Sequence, residues 1–160
     1  MSSTDLIIGR IRGYAAVTGN KDLQGDVIVP GAFRRWLKRA KGAQLPVLYQ
    51  HDAMSLPIGR TTKLLEDRKG LYYEAEIINT AFGRDALTAI RAGVVSKSSF
   101  GWTGTRGLRK DGVRYITQCV PLEVSPVGLL AANPKTSVEI MEAADLVAPE
   151  ASPRLIAAGR

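Results

Sequence analysis

Three short stretches carry residue types that could do chemistry together. "YQHD" holds His51, the single histidine of the chain. "SKSSFGW", residues 96–102, sets the hydroxyls Ser96, Ser98 and Ser99 at the start of a run that then turns apolar. "PLEVSPVGLLAANP", residues 121–134, places an acid, Glu123, inside an otherwise apolar strand-like segment. A buried carboxylate is costly unless it is paired. Histidine is its natural partner, because a carboxylate fixes the imidazole tautomer and stabilises the imidazolium. A serine on the other ring nitrogen would complete a nucleophile, base and orienting acid. Each stretch also has a plainer account. A lone histidine is often a satisfied structural residue, and serines at a strand edge often hydrogen-bond the backbone. Glu123, flanked by Leu122 and Val124, fits the solvent face of an alternating strand. The residues alone leave both accounts open.

The elements that must carry these stretches are mostly β. Runs rich in β-branched and aromatic residues, separated by Gly, Asn, Asp or Pro, predict strands near Leu6–Val17, Asp26–Val29, Pro46–Tyr49, Ile58–Leu65, Leu71–Ile78, Ser98–Thr105 and Val113–Val124. "EDRKG" (66–70) and "RKDG" (109–112) read as hairpin turns with glycine available for positive φ. Two segments read as helical. In "GAFRRWLKRAKG", Phe33, Trp36, Leu37 and Ala40 recur at helical spacing before Gly42. In "NTAFGRDALTAIRAG", Phe82, Ala86 and Ile90 share a face, Asn79 or Thr80 supplies a cap and Gly93 ends the helix. The fold class expected is therefore mainly β with flanking helices (α+β): a barrel-like sheet of about seven strands with at least two helices.

Composition narrows the function classes. The 160-residue chain is 45% apolar, enough for one packed domain, and its net charge is +7. Five of the cations lie between Arg34 and Lys41 and four between Arg106 and Arg114. Few aromatics are interleaved with them, which argues for solvated basic surfaces over a nucleic-acid site. One cysteine, Cys119, allows neither an internal disulfide nor a cysteine-rich zinc site, and in a plain strand pattern it is a poor nucleophile. No metal or cofactor is expected, since one histidine without clustered ligands cannot close a shell. No apolar run approaches the ~20 residues that span a bilayer. The opening "MSSTDLIIGRIRG" does not read as a signal peptide.

Five blocks, in order, extend these observations. "GYAAV…GDVIVPGAF" (13–33), "VLYQHD…PIGR" (47–60), "GLYYEAEI" (70–77), "AGVVSKSSFGW" (92–102) and "LEVSPV…AANP" (122–134) resemble the prohead proteases of tailed phages. Those serine proteases mature capsids and share a clan with herpesvirus assemblin. The resemblance covers roughly residues 5–140 and implies an assemblin-like fold and a protease domain over residues 1–141. Residues 142–160, rich in alanine with two prolines, are expected to form a flexible C-terminal tail open to self-cleavage.

The resemblance implies a triad of His51 as general base, Ser99 as nucleophile and Glu123 as orienting acid. The family pattern is serine, any residue, glycine, aromatic, which here is Ser99-Phe100-Gly101-Trp102. Ser98 is the fallback; the family usually carries a hydrophobic residue or glycine before its serine, where this chain has Ser98. Asp52, adjacent to His51, is the weaker acid, since neighbouring strand residues point to opposite faces. Backbone amides near Gly101 or in the Ala92–Ser96 turn, with Arg91 or Arg106, are the candidate oxyanion donors. The implied substrates are the scaffolding region of the major capsid protein and the chain itself, inside a procapsid in the host cytoplasm. Portal and other procapsid components are further candidate partners, as is a second copy in a homodimer. The alternative is a non-catalytic assembly protein on the same fold.

Overall fold

The computed structural model describes residues 6–129 and 131–142. The expected tail lies outside the described residues except for Glu142. The element order is β1 (Ile7–Val17), β2 (Asp26–Ile28), α1 (Arg34–Arg39), β3 (Pro46–Val47), β4 (Gly59–Glu66), β5 (Gly70–Ile78), α2 (Ala81–Arg91), β6 (Lys97–Lys110), β7 (Val113–Val127) and β8 (Ser137–Ile140).

All seven expected strands are present, and β8 is an eighth. The ladders run in the order β2-β7-β3-β4-β5-β1-β8, with β6 paired to β7. They do not close into a barrel. Where a barrel would have a further ladder, the Val138 amide donates to the Ser96 carbonyl at 3.1 Å, joining β8 to the residue before β6. "Barrel-like" thus describes the sheet only loosely. β7 is the central spar: β6 runs antiparallel along one edge, while the short parallel strands β2 and β3 share the other.

The core gathers Ile11, Phe33, Val47, Tyr73, Ile77, Phe100 and Val124. α2 sits on it through Gly83, Ala86, Leu87 and Ile90, a run at i, i+3, i+4 and i+7. The expected face through Phe82 needs correcting, for Phe82 is exposed. Glycine decides the matter. A Cβ at position 83 would stand 2.3 Å from the Ile78 carbonyl oxygen, so Gly83 alone lets the helix settle onto the end of β5. Thr80 is the cap, its Oγ1 accepting from the Gly83 amide at 3.0 Å. α1 is shorter than its periodicity suggests. Phe33, its N-cap, is buried, and Trp36 and Leu37 are half-buried against the core.

Candidate active site

β3 and its extension deliver the histidine. After the Val47–Val124 pair, the Leu48 amide donates to the Val124 carbonyl (2.9 Å) and the Gln50 amide to the Pro126 carbonyl (3.1 Å). The chain then leaves β7 through two left-handed residues, Gln50 (φ 57°) and His51 (φ 60°). Neither is glycine, so each conformation costs on the order of 1 kcal/mol and must be held by its surroundings. Three bonds hold the turn. Gln50 Oε1 accepts from the Gly128 amide at 3.2 Å, the Asp52 amide donates to the Tyr49 carbonyl at 3.1 Å, and the His51 amide donates to Ser125 Oγ at 3.2 Å.

The β6–β7 ladder delivers the other residues. Ser99 pairs with Ser125 and Gly101 with Glu123, so these four share one face of the hairpin. Ser98, Phe100, Val124 and Pro126 occupy the opposite face. A register shift follows at once, Trp102 pairing with Pro121, which leaves Leu122 as the extra residue of a bulge. Leu122 points to solvent while Glu123 is buried. The simple alternation that would expose Glu123 therefore fails at the bulge.

His51 and Glu123 meet directly. His51 Nδ1 lies 2.6 Å from Glu123 Oε1, and an ionised carboxylate only accepts, so Nδ1 carries the hydrogen. That leaves the Nε2 lone pair available. Gly101 makes room for the acid: a Cβ there would lie 2.7 Å from Glu123 Oε1. His51 and Ser99 both line one cleft of about 380 Å³, with Trp102, Asp22, Asn133 and Thr136 among the other walls.

The two adjacent serines differ in environment. Ser98 is fully buried and shares a 2.6 Å hydrogen bond with the Tyr73 hydroxyl, whose pKa burial raises well above the ordinary tyrosine range. Ser99 shares its face of the hairpin with Ser125 and Glu123, the partners of His51, and both serines line the His51 cleft. Asp52 turns away from the ring. Its carboxylate accepts from the Ser55 hydroxyl (2.5 Å) and the Met54 amide (3.0 Å), which together hold its pKa below the usual range. Cys119 is buried, and desolvation, with the Glu66 charge second, pushes its thiol up to about 12. It is neutral at physiological pH and no rival nucleophile.

Of the candidate oxyanion donors, the amides of Ala92, Gly93, Val94 and Val95 all bond back to α2 carbonyls and close the helix. Arg106 lines a separate cleft with Arg35 and Arg39, and Arg91 is not among the residues that line the His51 cleft.

Two features of the cleft went unread in the sequence. Asp26, buried beneath Arg114, pairs with it through Nε (2.9 Å) and Nη2, and the guanidinium lies 5.5 Å from the Trp102 ring centre. Asn133 ties the "AANP" segment to β1 and to Asn20 through hydrogen bonds of 3.2–3.3 Å. Neither pairing has a local spacing signal; both join segments about 90 or more residues apart.

Residues 2–148 match the caudovirus prohead serine protease family. The chain belongs to that family. It is 34% identical over 96 residues to the prohead protease of Enterobacteria phage HK97, across 59% of this chain and 42% of that protein. The chain therefore aligns with less than half the length of this relative. In fold it is similar to the protease of Kaposi's sarcoma-associated herpesvirus solved with a hexapeptide phosphonate inhibitor (TM-score 0.59, 16% identity, 88% of this chain and 68% of that one). It is also similar to the capsid assembly protease of bacteriophage T4 (TM-score 0.52, 17% identity, 74% and 81%). The assemblin-like fold expected from the sequence is thus the fold observed.

Proposed function

We propose that this chain is a serine endopeptidase that cleaves the scaffolding region of the major capsid protein, and itself, during procapsid maturation. The observation that carries the reading is the 2.6 Å His51–Glu123 bond, beside the cleft that Ser99 lines, in a chain of the prohead serine protease family. His51 Nε2 takes the proton of Ser99 as its Oγ attacks the scissile carbonyl carbon. The same proton then passes to the leaving nitrogen as the C–N bond breaks. Water repeats the sequence on the acyl-enzyme, releasing the new carboxyl terminus and restoring Ser99. Glu123 stays ionised throughout, orienting the ring and stabilising the imidazolium.

The work is done inside the procapsid, where portal, other shell components and a second copy of the chain are the remaining partners. A basic face supports an acidic substrate. Among the described residues Arg34, Arg35, Lys38, Arg39, Arg106 and Arg109 form no ion pair, whereas Arg10, Arg60, Lys63 and Arg114 of the sheet all do. Arg35, Arg39 and Arg106 surround a cleft of about 250 Å³ between α1 and the β6–β7 ribbon, over Trp36 and Val120. Such a field steers an acidic chain towards the enzyme.

The test is co-expression with the capsid protein, comparing wild type with Ser99→Ala by intact mass. Wild type is expected to yield shortened capsid protein and trimmed protease, and Ser99→Ala neither. Equal full-length masses in both would overturn the enzymatic reading in favour of an assembly role.

A further inference from the structure

We infer that Ser125 is a positioning residue of the active site, acting on His51 and Glu123 together. The inference rests on the proposed roles of those two residues and of Ser99. Ser125 is fully buried, and its hydroxyl is used in both senses. It donates to Glu123 Oε2 at 2.6 Å and accepts from the His51 backbone amide at 3.2 Å. Glu123 Oε1 takes the imidazole hydrogen at 2.6 Å, so both carboxylate oxygens are held, one by the base and one by Ser125.

The arrangement joins two problems that the fold creates. The first is the turn. Gln50 makes the last main-chain bond of the β3 extension to β7, through Pro126. His51 then departs in a left-handed conformation, and its amide is taken by the Ser125 hydroxyl. The second is the carboxylate. Glu123 lies over Gly101, where no Cβ confines it, so something else must fix its rotation. Ser125 sits two residues along the same strand, on the same face, and supplies the donor. One hydroxyl thus sets both the backbone from which the imidazole springs and the acid that orients it. Ser125 is also the direct cross-strand neighbour of Ser99. Its complete burial and two committed bonds distinguish it from a second nucleophile. Outer partners of metal-ligating histidines typically change affinity or activity about tenfold to a hundredfold when removed, and the same scale is expected for a partner that orients a catalytic histidine.

His51 is the only histidine in the chain, so ring-nitrogen NMR reports on it without ambiguity. The experiment compares wild type, Ser99→Ala, Ser125→Ala and Ser125→Thr on a peptide from the capsid scaffolding region, with ¹⁵N-imidazole spectra of each. Ser125→Ala is expected to lower kcat roughly tenfold to a hundredfold with KM within about twofold. Its neutral ring should move from the Nδ1–H pattern towards a tautomer mixture. Ser125→Thr, which keeps the hydroxyl, is expected to recover most of kcat and the Nδ1–H pattern. Wild-type kcat and an unmoved ring pattern in Ser125→Ala, with Ser99→Ala inactive, would overturn the inference and leave the protease reading intact. An active Ser99→Ala would instead overturn Ser99 as the nucleophile, and a wild type that leaves the peptide intact would overturn the protease reading. If Ser125→Ala does not fold, Ser125→Val, which has the shape of the threonine variant without its hydroxyl, serves in its place, and a retained Nδ1–H pattern there counts against the inference.

Discussion

The two halves of the β6–β7 hairpin are made from the same pair of strands and do opposite things. In the near half, Ser98–Phe100 face Val124–Pro126 and all six residues are buried. Three polar side chains there are held in place: Ser98 by Tyr73, Glu123 by His51, and Ser125 by both members of that pair. In the far half, every β6 residue from Thr103 to Lys110 is exposed, and the ladder slips twice more, after Thr103 and after Arg106. Its cations Arg106 and Arg109 form no ion pair among the described residues. A functional constellation is built where burial forces polar groups into fixed geometry. A steering surface needs only charge, and it tolerates irregular pairing.

Substituting a glycine in each half tests that contrast most severely. Gly101→Ala would press a methyl to within 2.7 Å of Glu123 Oε1. Displacing the acid should cost on the order of a hundredfold in kcat/KM, the usual scale for a misplacement of about 1 Å. Gly107→Ala meets the Tyr115 carbonyl oxygen at 2.3 Å, a closer clash, and with backbone where Gly101 meets a side chain. It is expected to lower the melting temperature while leaving kcat/KM within about twofold. Paired peptide-cleavage assays and thermal melts check both. A large activity loss from Gly107→Ala would show that the halves are coupled, and the contrast would fail.

A smaller effect sharpens the other side. Replacing Arg35, Arg39 and Arg106 together by alanine should lower kcat/KM on an acidic peptide roughly tenfold at low salt. kcat should not change, and the deficit should fade as added salt shortens the screening length below ~8 Å. Titrating NaCl from low to high in both proteins measures this. A salt-independent loss, or a fall in kcat, would place those arginines in the chemistry rather than in the encounter.

Much of this was legible in the residues because it depends on local pattern. The strand runs, the Thr80 cap and the glycine stops are written in neighbouring residues. His51 and Glu123 stood out as types ill suited to a plain core. What could not be read needed three dimensions. Leu122 bulges, so period-two alternation alone could not decide between the buried and the solvent-facing account of Glu123. Ser125 resembled any strand serine, because its two partners arise from a turn in which Gln50 and His51 adopt positive φ without a glycine to announce it. β8 is four residues long, too short for its alternation to register against the loop before it. The Phe82 face failed because an apolar count cannot weigh the close approach that Gly83 permits.

The central claim is that Ser99, and not its neighbour Ser98, is the nucleophile that His51 activates. Reaction with a fluorophosphonate, followed by peptide mass mapping of wild type and His51→Ala, tests it most directly. A single adduct on Ser99 in wild type, and none in His51→Ala, is the predicted result. An adduct on Ser98, or equal labelling of Ser99 without the histidine, would contradict it.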